Sequence, residues 1–374
     1  MTSSLKLGRI AGIEIGIHYT WILAFILIAW SLAEGFFPEA YPDWSRGTYW
    51  LIGIAASLLL FISVLLHELA HSFVAKARGM GVNSITLFIF GGVSNIEGEP
   101  EKPAAEFAMA IVGPLSSLVI AGIFWGLASW TGLNTEGPAY AMLAYLALIN
   151  AFLAGFNILP GFPLDGGRVL RSIIWGATGN LTRATNIAGI VGQVFGWILI
   201  AFGVYQLLAG NFLGGLWIAF IGWFLSSAAD NSRREISMRE QLKGIKVKDV
   251  MDPNPETVAP GTSITEMIRN VFFQKQKRAA GIVDNGRLLG IITISDVKEI
   301  NQNEWDNTNV DRIMTKSPLY TVRPDHDLNY AMNLIAQHDL NQVLVVNDGQ
   351  LIGLLSRADI IRYLQLHKEL GIKK

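Results

Sequence analysis

SVLLHELAHSFVA, residues 63–75, places His67, Glu68 and His71 inside an apolar run that begins at Tyr49 and continues to Ala75. On a helix, positions i and i+4 share a face. His67 and His71 can therefore offer two imidazoles to one tetrahedral metal, while Glu68, one step round, reaches a water bound there. Ionisable side chains are costly at hydrocarbon depth and answer no structural need in lipid. The stretch predicts a metal site inside a membrane span.

The composition around it describes two different halves. The chain has 374 residues, no cysteine, a net charge of -1, 51% hydrophobic residues and 16% charged ones. Up to about residue 228 it is a series of apolar stretches, each about 20 residues or more and so long enough to cross a bilayer. From Asn231 onward Lys, Arg, Asp and Glu return and short apolar runs alternate with turn signals, as in a soluble protein. The expected domains are a transmembrane domain over 1–230, a linker over 231–246 and a soluble domain over 247–374. Without cysteine there is neither a disulfide nor a thiolate ligand, so any zinc must be held by histidine and carboxylate.

Six spans are expected, over 17–37, 49–77, 104–130, 139–159, 184–208 and 212–228, which puts both termini on one side. The first follows a basic lead with Lys6 and Arg9 but is long for a signal peptide, carries Glu14 and His18 at its start, and is followed at once by more spans. It reads as uncleaved. Lys6, Arg9, Lys76, Arg78, Lys102, Arg168, Arg171, Arg183, Arg233 and Arg234 then fall on the terminal side and Arg46 on the other. The positive-inside rule makes this a multi-pass protein of the cell membrane, with the termini and soluble domain cytoplasmic.

A third metal ligand is expected from NILPGFPLDGGR, residues 157–168, at the end of the fourth span. Pro160, Gly161 and Pro163 break the helix, and irregular backbone at membrane depth is tolerated only where protein or a water-filled cavity covers it. Asp165 is presented from this broken segment and can complete a two-histidine, one-carboxylate set, leaving the fourth position open as catalytic zinc requires. The alternative is that Asp165 caps a helix over 169–176. His18 reads as an interfacial residue rather than a ligand. Residues 84–96, alternating and β-branched around Gly91-Gly92, are too short for a span and read as a re-entrant β-hairpin with an exposed edge.

The soluble half repeats itself with an offset of 63 residues: VKDVM at 247–251 matches VDRIM at 310–314, and GIITISD at 290–296 matches GLLSRAD at 353–359. Two copies of one supersecondary unit, about 247–306 and 310–369, are expected to pack together. Each has a tight hairpin turn, at Asn285-Gly286 or Asp348-Gly349.

These repeats resemble the paired cystathionine-beta-synthase (CBS) domains. That resemblance implies an α/β tandem whose cleft takes an adenine nucleotide such as ATP or AMP, with Thr293 and Ser356 facing phosphate and Asp296 and Asp359 facing ribose. A Thr or Ser and an Asp just ahead of a helix also satisfy N-capping, so the two readings stand side by side.

The membrane half resembles the site-2 protease family of intramembrane zinc metalloproteases. The resemblance rests on His67-Glu68-x-x-His71, Phe90-Gly91-Gly92, Gly113-Pro114-Leu115-Ser116-Ser117 and 157–167, and fusion to a CBS pair is an architecture of that family. It implies one Zn2+ held by His67, His71 and Asp165, Glu68 as general base, and Asn157 holding the substrate carbonyl or developing oxyanion. Ser117 stands where many relatives have Asn. The expected fold is a polytopic α-helical membrane protein of about six transmembrane helices with a short re-entrant β-hairpin, followed by a soluble α/β tandem CBS domain. The expected activity is hydrolysis of peptide bonds in single-pass transmembrane substrates within the lipid bilayer, with possible nucleotide regulation through the tail.

Because a helix hides its carbonyls, the substrate must unwind, and Phe90, Gly91 and Gly92 are expected to receive it by strand addition. The other reading of the hairpin is a loop that keeps lipid out. A homodimer through the CBS domains is expected from the resemblance, and no nucleic-acid partner. Two rivals are a CBS-gated transporter or channel, which leaves Glu68 and Asp165 unexplained, and an inactive relative that binds transmembrane segments without cutting.

Overall fold

The computed structural model describes residues 4–370 apart from 90, 97, 99, 131 and 317. The chain divides into two compact units, Met1–Ile236 and Ser237–Lys374.

Among the described residues, six helices are long and apolar enough to cross a membrane. They are α1 (Thr20–Ala40, with a π-helical stretch at Leu32–Phe36), α2 (Arg46–Ala77), α3 (Pro103–Trp130), α4 (Pro138–Asn157), α6 (Leu181–Leu208) and α7 (Phe212–Leu242), with the shorter α5 (Asp165–Thr178) between α4 and α6. Side chains such as Leu118, Val119, Ile123 and Trp125 of α3 face outward, as helices immersed in lipid require. The expected linker is helical as far as Leu242, and the helix expected over 169–176 already begins at Asp165.

The expected hairpin is present as β3 (Val82–Phe88) and β4 (Gly91–Ile96), but it belongs to a larger sheet. The basic lead forms β1 (Ser4–Ile10), and Ile13–His18, partly expected as the start of the first span, forms β2. The four strands lie in the order β1-β2-β3-β4, with β2 and β3 parallel and the other neighbours antiparallel. Residues opposite one another share a face. Ile15 pairs with Ile85, Ile85 with Ser94, Ile17 with Leu87 and Leu87 with Gly92. One face of the sheet is thus almost wholly apolar, and Ile13, Ile15, Val82 and Ile85 pack from it onto Leu69 and Ala75 of α2 and Met109 of α3. A sheet laid on the end of α2 that carries the histidines places β4, an edge strand, beside them.

In the second unit the internal repeat becomes pseudo-symmetry. β5 (Ala279–Asp284) and β6 (Arg287–Thr293) form one antiparallel hairpin, β7 (Gln342–Asn347) and β8 (Gln350–Ser356) the other. Both turns have positive φ at both central residues, 48° and 80° at Asn285-Gly286 and 49° and 81° at Asp348-Gly349, the geometry a two-residue hairpin turn demands. The repeats exchange contacts at their glycines. A Cβ built on Gly353 would lie 2.5 Å from Met251 Sδ, and one on Gly290 would lie 2.7 Å from Met314 Sδ. Each repeat therefore seats the methionine that ends its own leading segment on the other repeat's sheet.

Candidate metal centre

The i, i+4 spacing on α2 does what helical geometry dictates. His67 and His71 are both buried, with their Nε2 atoms 3.2 Å apart. Asp165 is not a helix cap: the N-cap position of α5 is Leu164, and Asp165, the first residue of the helix, directs Oδ2 to within 3.1 Å of both Nε2 atoms. These are the three residues that, among those described, bring metal-ligating atoms together as a cluster.

The triangle fits zinc. Tetrahedral ligands about 2.0–2.1 Å from the metal stand about 3.3 Å from one another. The tautomer agrees as well. His71 Nδ1 donates to the Met109 carbonyl at 2.6 Å, since a carbonyl only accepts, and in the neutral imidazole this leaves the Nε2 lone pair pointing at Asp165 and His67. Lone pairs converging on a carboxylate oxygen are satisfied by a metal cation placed among them. His67 Nδ1 is in turn held by Ser117 Oγ at 2.9 Å, so Ser117 supplies an outer partner to this candidate ligand.

α3 approaches this centre closely at Gly113. A Cβ there would lie 2.1 Å from His71 Nε2 and 2.7 Å from His67 Nε2, so only glycine leaves the imidazoles their space.

Glu68 points to β4, where Ser94 Oγ donates to Glu68 Oε2 at 2.8 Å and accepts from Ser72 Oγ at 3.2 Å. The sequence reading passed over Ser94, although strand alternation from Gly92 would have put it on the α2 side. Gly92 itself sits so near that a Cβ would lie 2.5 Å from Glu68 Cγ.

His67, Glu68, His71, Asp165, Asn157, Gly91, Gly92 and Ser94 all line one cavity of about 1040 Å³. Asn157 donates from Nδ2 to its own helix, to Leu153 O at 3.0 Å. Phe90, expected beside the two glycines, lies outside the described residues. His18 stands apart from the cluster, with its Nδ1 2.8 Å from Thr20 Oγ1 at the start of α1.

The four candidate nucleotide residues occupy equivalent places at the ends of β6 and β8. Thr293 donates to Asp296 Oδ2 through Oγ1 at 2.8 Å, and Ser356 to Asp359 Oδ2 at 2.6 Å. The backbone N–H groups of Thr293 and Ser356 donate to the same oxygens, the geometry of helix capping. A cavity of about 610 Å³ in this unit lies elsewhere, between 321–326 and 346–349.

Residues 55–135 and 131–202 match Peptidase family M50, and 247–302 and 310–366 match the CBS domain. The protein sll0528 of Synechocystis sp. (strain ATCC 27184 / PCC 6803 / Kazusa) is 37% identical over 370 residues, 98% of this chain and 96% of its own length. The zinc metalloprotease MJ0392 of Methanocaldococcus jannaschii is 33% identical over 374 residues, 99% of each chain. A solved site-2 protease from Methanocaldococcus jannaschii aligns at 30% identity with a TM-score of 0.43, over 62% of this chain and 95% of its own. The chain belongs to peptidase family M50, the zinc metalloproteases of the site-2 protease type, and carries a CBS pair behind its membrane-spanning helices.

Proposed function

We propose that this protein is an intramembrane endopeptidase that cuts single-pass membrane proteins within or near their transmembrane helices. The observation that carries the reading is the convergence of His67, His71 and Asp165 ligand atoms at 3.1–3.2 Å, with Glu68 beside them, in a cavity among helices apolar enough to cross a membrane. Zinc held by His67, His71 and Asp165 would polarise a carbonyl and lower the pKa of a bound water to about 7.

The protein's own groups do the rest. Glu68 takes a proton from the attacking water as its oxygen adds to the substrate carbonyl carbon, and returns that proton to the amine as the C–N bond breaks. Asn157 spends one amide N–H on Leu153 O; the other is directed to the developing oxyanion. β4 ends its sheet, so its outer edge is free to take an unwound substrate strand at Gly91 and Gly92. A transporter accounts for the spans and the tail but gives no work to Glu68.

The termini and the CBS pair face the cytoplasm, on the side marked by the basic residues flanking the spans. The CBS pair takes an adenine nucleotide at Thr293, Asp296, Ser356 and Asp359 and forms a homodimer.

The test is cleavage of a reporter with a single transmembrane helix in proteoliposomes. Glu68→Gln abolishes cleavage with zinc retained, and His67→Ala loses both. Cleavage that survives Glu68→Gln, or ion flux in place of cleavage, overturns the reading.

A further inference from the structure

Glu106 of α3 and Arg171 of α5 form an ion pair buried in the membrane unit: Arg171 Nε donates to Glu106 Oε1 at 2.6 Å, and the Arg171 Nη2 group contacts the same oxygen. Glu106 is fully buried and Arg171 is 6% exposed. The guanidinium also lies 5.3 Å from the ring centroid of Phe162, in the broken segment between α4 and α5. A buried pair of this kind returns little net stability, because desolvating both charges costs about as much as their attraction returns. Its value lies in fixing geometry.

What it fixes is the pair of helices that meet at the metal. One turn beyond Glu106 on α3 is Met109, whose carbonyl orients His71, followed by Gly113 against both imidazoles and Ser117 on His67. Arg171 stands on the same short helix as Asp165, with fewer than two turns between them. α2 and α3 thus set the two histidines, whereas Asp165 arrives on a separate helix after an irregular segment.

We infer that Glu106 and Arg171 are positioning residues that latch α5 to α3 and thereby hold the Asp165 carboxylate at the histidine pair. Neither touches substrate or metal. The latch rests on the zinc reading proposed above and adds the means by which the third ligand is kept in register.

The experiment compares wild type with Arg171→Lys and with the double variant Glu106→Leu/Arg171→Met, all full-length in detergent. The double variant removes both charges and so leaves no unpaired ion in the interior. Folding is followed by thermal unfolding, zinc affinity by chelator competition, and coordination by the visible spectrum of cobalt-substituted protein. Both variants fold, and both bind zinc about tenfold more weakly, the low end of the cost of losing outer support for a metal ligand, because the pair acts on Asp165 only through its helix. Their cobalt bands shift toward those of Asp165→Ala. If either folded variant keeps wild-type affinity and spectrum, the latch is wrong while the zinc site stands. If Arg171→Lys and the double variant both fail to fold, the pair is structural and the inference is overturned. Absence of zinc from folded wild type would instead remove the reading beneath it.

Discussion

Ser94 Oγ lies 2.8 Å from Glu68 Oε2 and donates to it, from a sheet face whose other members include Ile15, Ile85 and Leu87. A polar side chain on an otherwise apolar face, bonded to the carboxylate expected to carry the proton, holds that carboxylate in one rotamer. Ser94→Ala should lower kcat about tenfold, the kinetic equivalent of about 1.4 kcal/mol and near the low end for a hydrogen bond to a charged group. KM and zinc content should stay as they are, and Ser94→Thr should restore most of the rate. A Ser94→Ala enzyme with unchanged kcat would remove Ser94 from the account.

Gly113→Ala should lose zinc, since its Cβ would fall 2.1 Å from a ligand nitrogen and the backbone of α3 would have to retreat. Full metal occupancy in a folded Gly113→Ala protein would show that the α3–histidine approach is looser than the structure has it.

Strand addition at β4 calls for a probe in the substrate. A proline or alanine at Gly92 would disturb Glu68, whose Cγ stands 2.5 Å from the Cβ position, so loss of cleavage there would be ambiguous. A scan of single N-methyl amides along the substrate avoids this. Inhibition should recur at every second residue, because alternate N–H groups of an added strand face the sheet. Uniform sensitivity, or none, would favour a loop that only shields the site from lipid.

Nucleotide binding and helix capping at the CBS pair separate by measurement. Asp296→Ala and Asp359→Ala should each cost about 1 kcal/mol of stability through lost capping. If the same carboxylates hold ribose, each should also weaken ATP or AMP binding in equilibrium dialysis. Destabilised variants with unaltered nucleotide affinity would leave capping as their whole role.

The sequence reading reached furthest where chemistry and periodicity coincide. His67, Glu68 and His71 are spaced by the helix itself, and Asp165 is marked by the Pro and Gly residues that break the chain before it. Both hairpin turns of the repeats were legible because Asn-Gly and Asp-Gly tolerate positive φ. β1 and β2 were not: Lys6 and Arg9 look like a basic lead and Ile17 like the start of a span, and although β1 pairs with its neighbour β2, β2 in turn pairs with β3, far along the chain. A β-bulge between Lys6 and Gly8 further blurs the alternation. Glu106 and Arg171 were hidden for the same reason, since nothing local says that residues 65 apart in sequence will meet in the interior. The sequence suggests a later start for the helix of Asp165 than it has, because its first turn follows two prolines and carries Gly166 and Gly167 directly after Asp165, residues that ordinarily argue against a helix.

Zinc content of detergent-purified wild type beside Asp165→Ala is the most direct test, since it needs no knowledge of the substrate. The account predicts about one zinc per wild-type chain, the complement of a single three-ligand catalytic site, and its loss or sharp reduction in Asp165→Ala. A well-folded wild type without zinc, or an Asp165→Ala protein with full zinc, would contradict it.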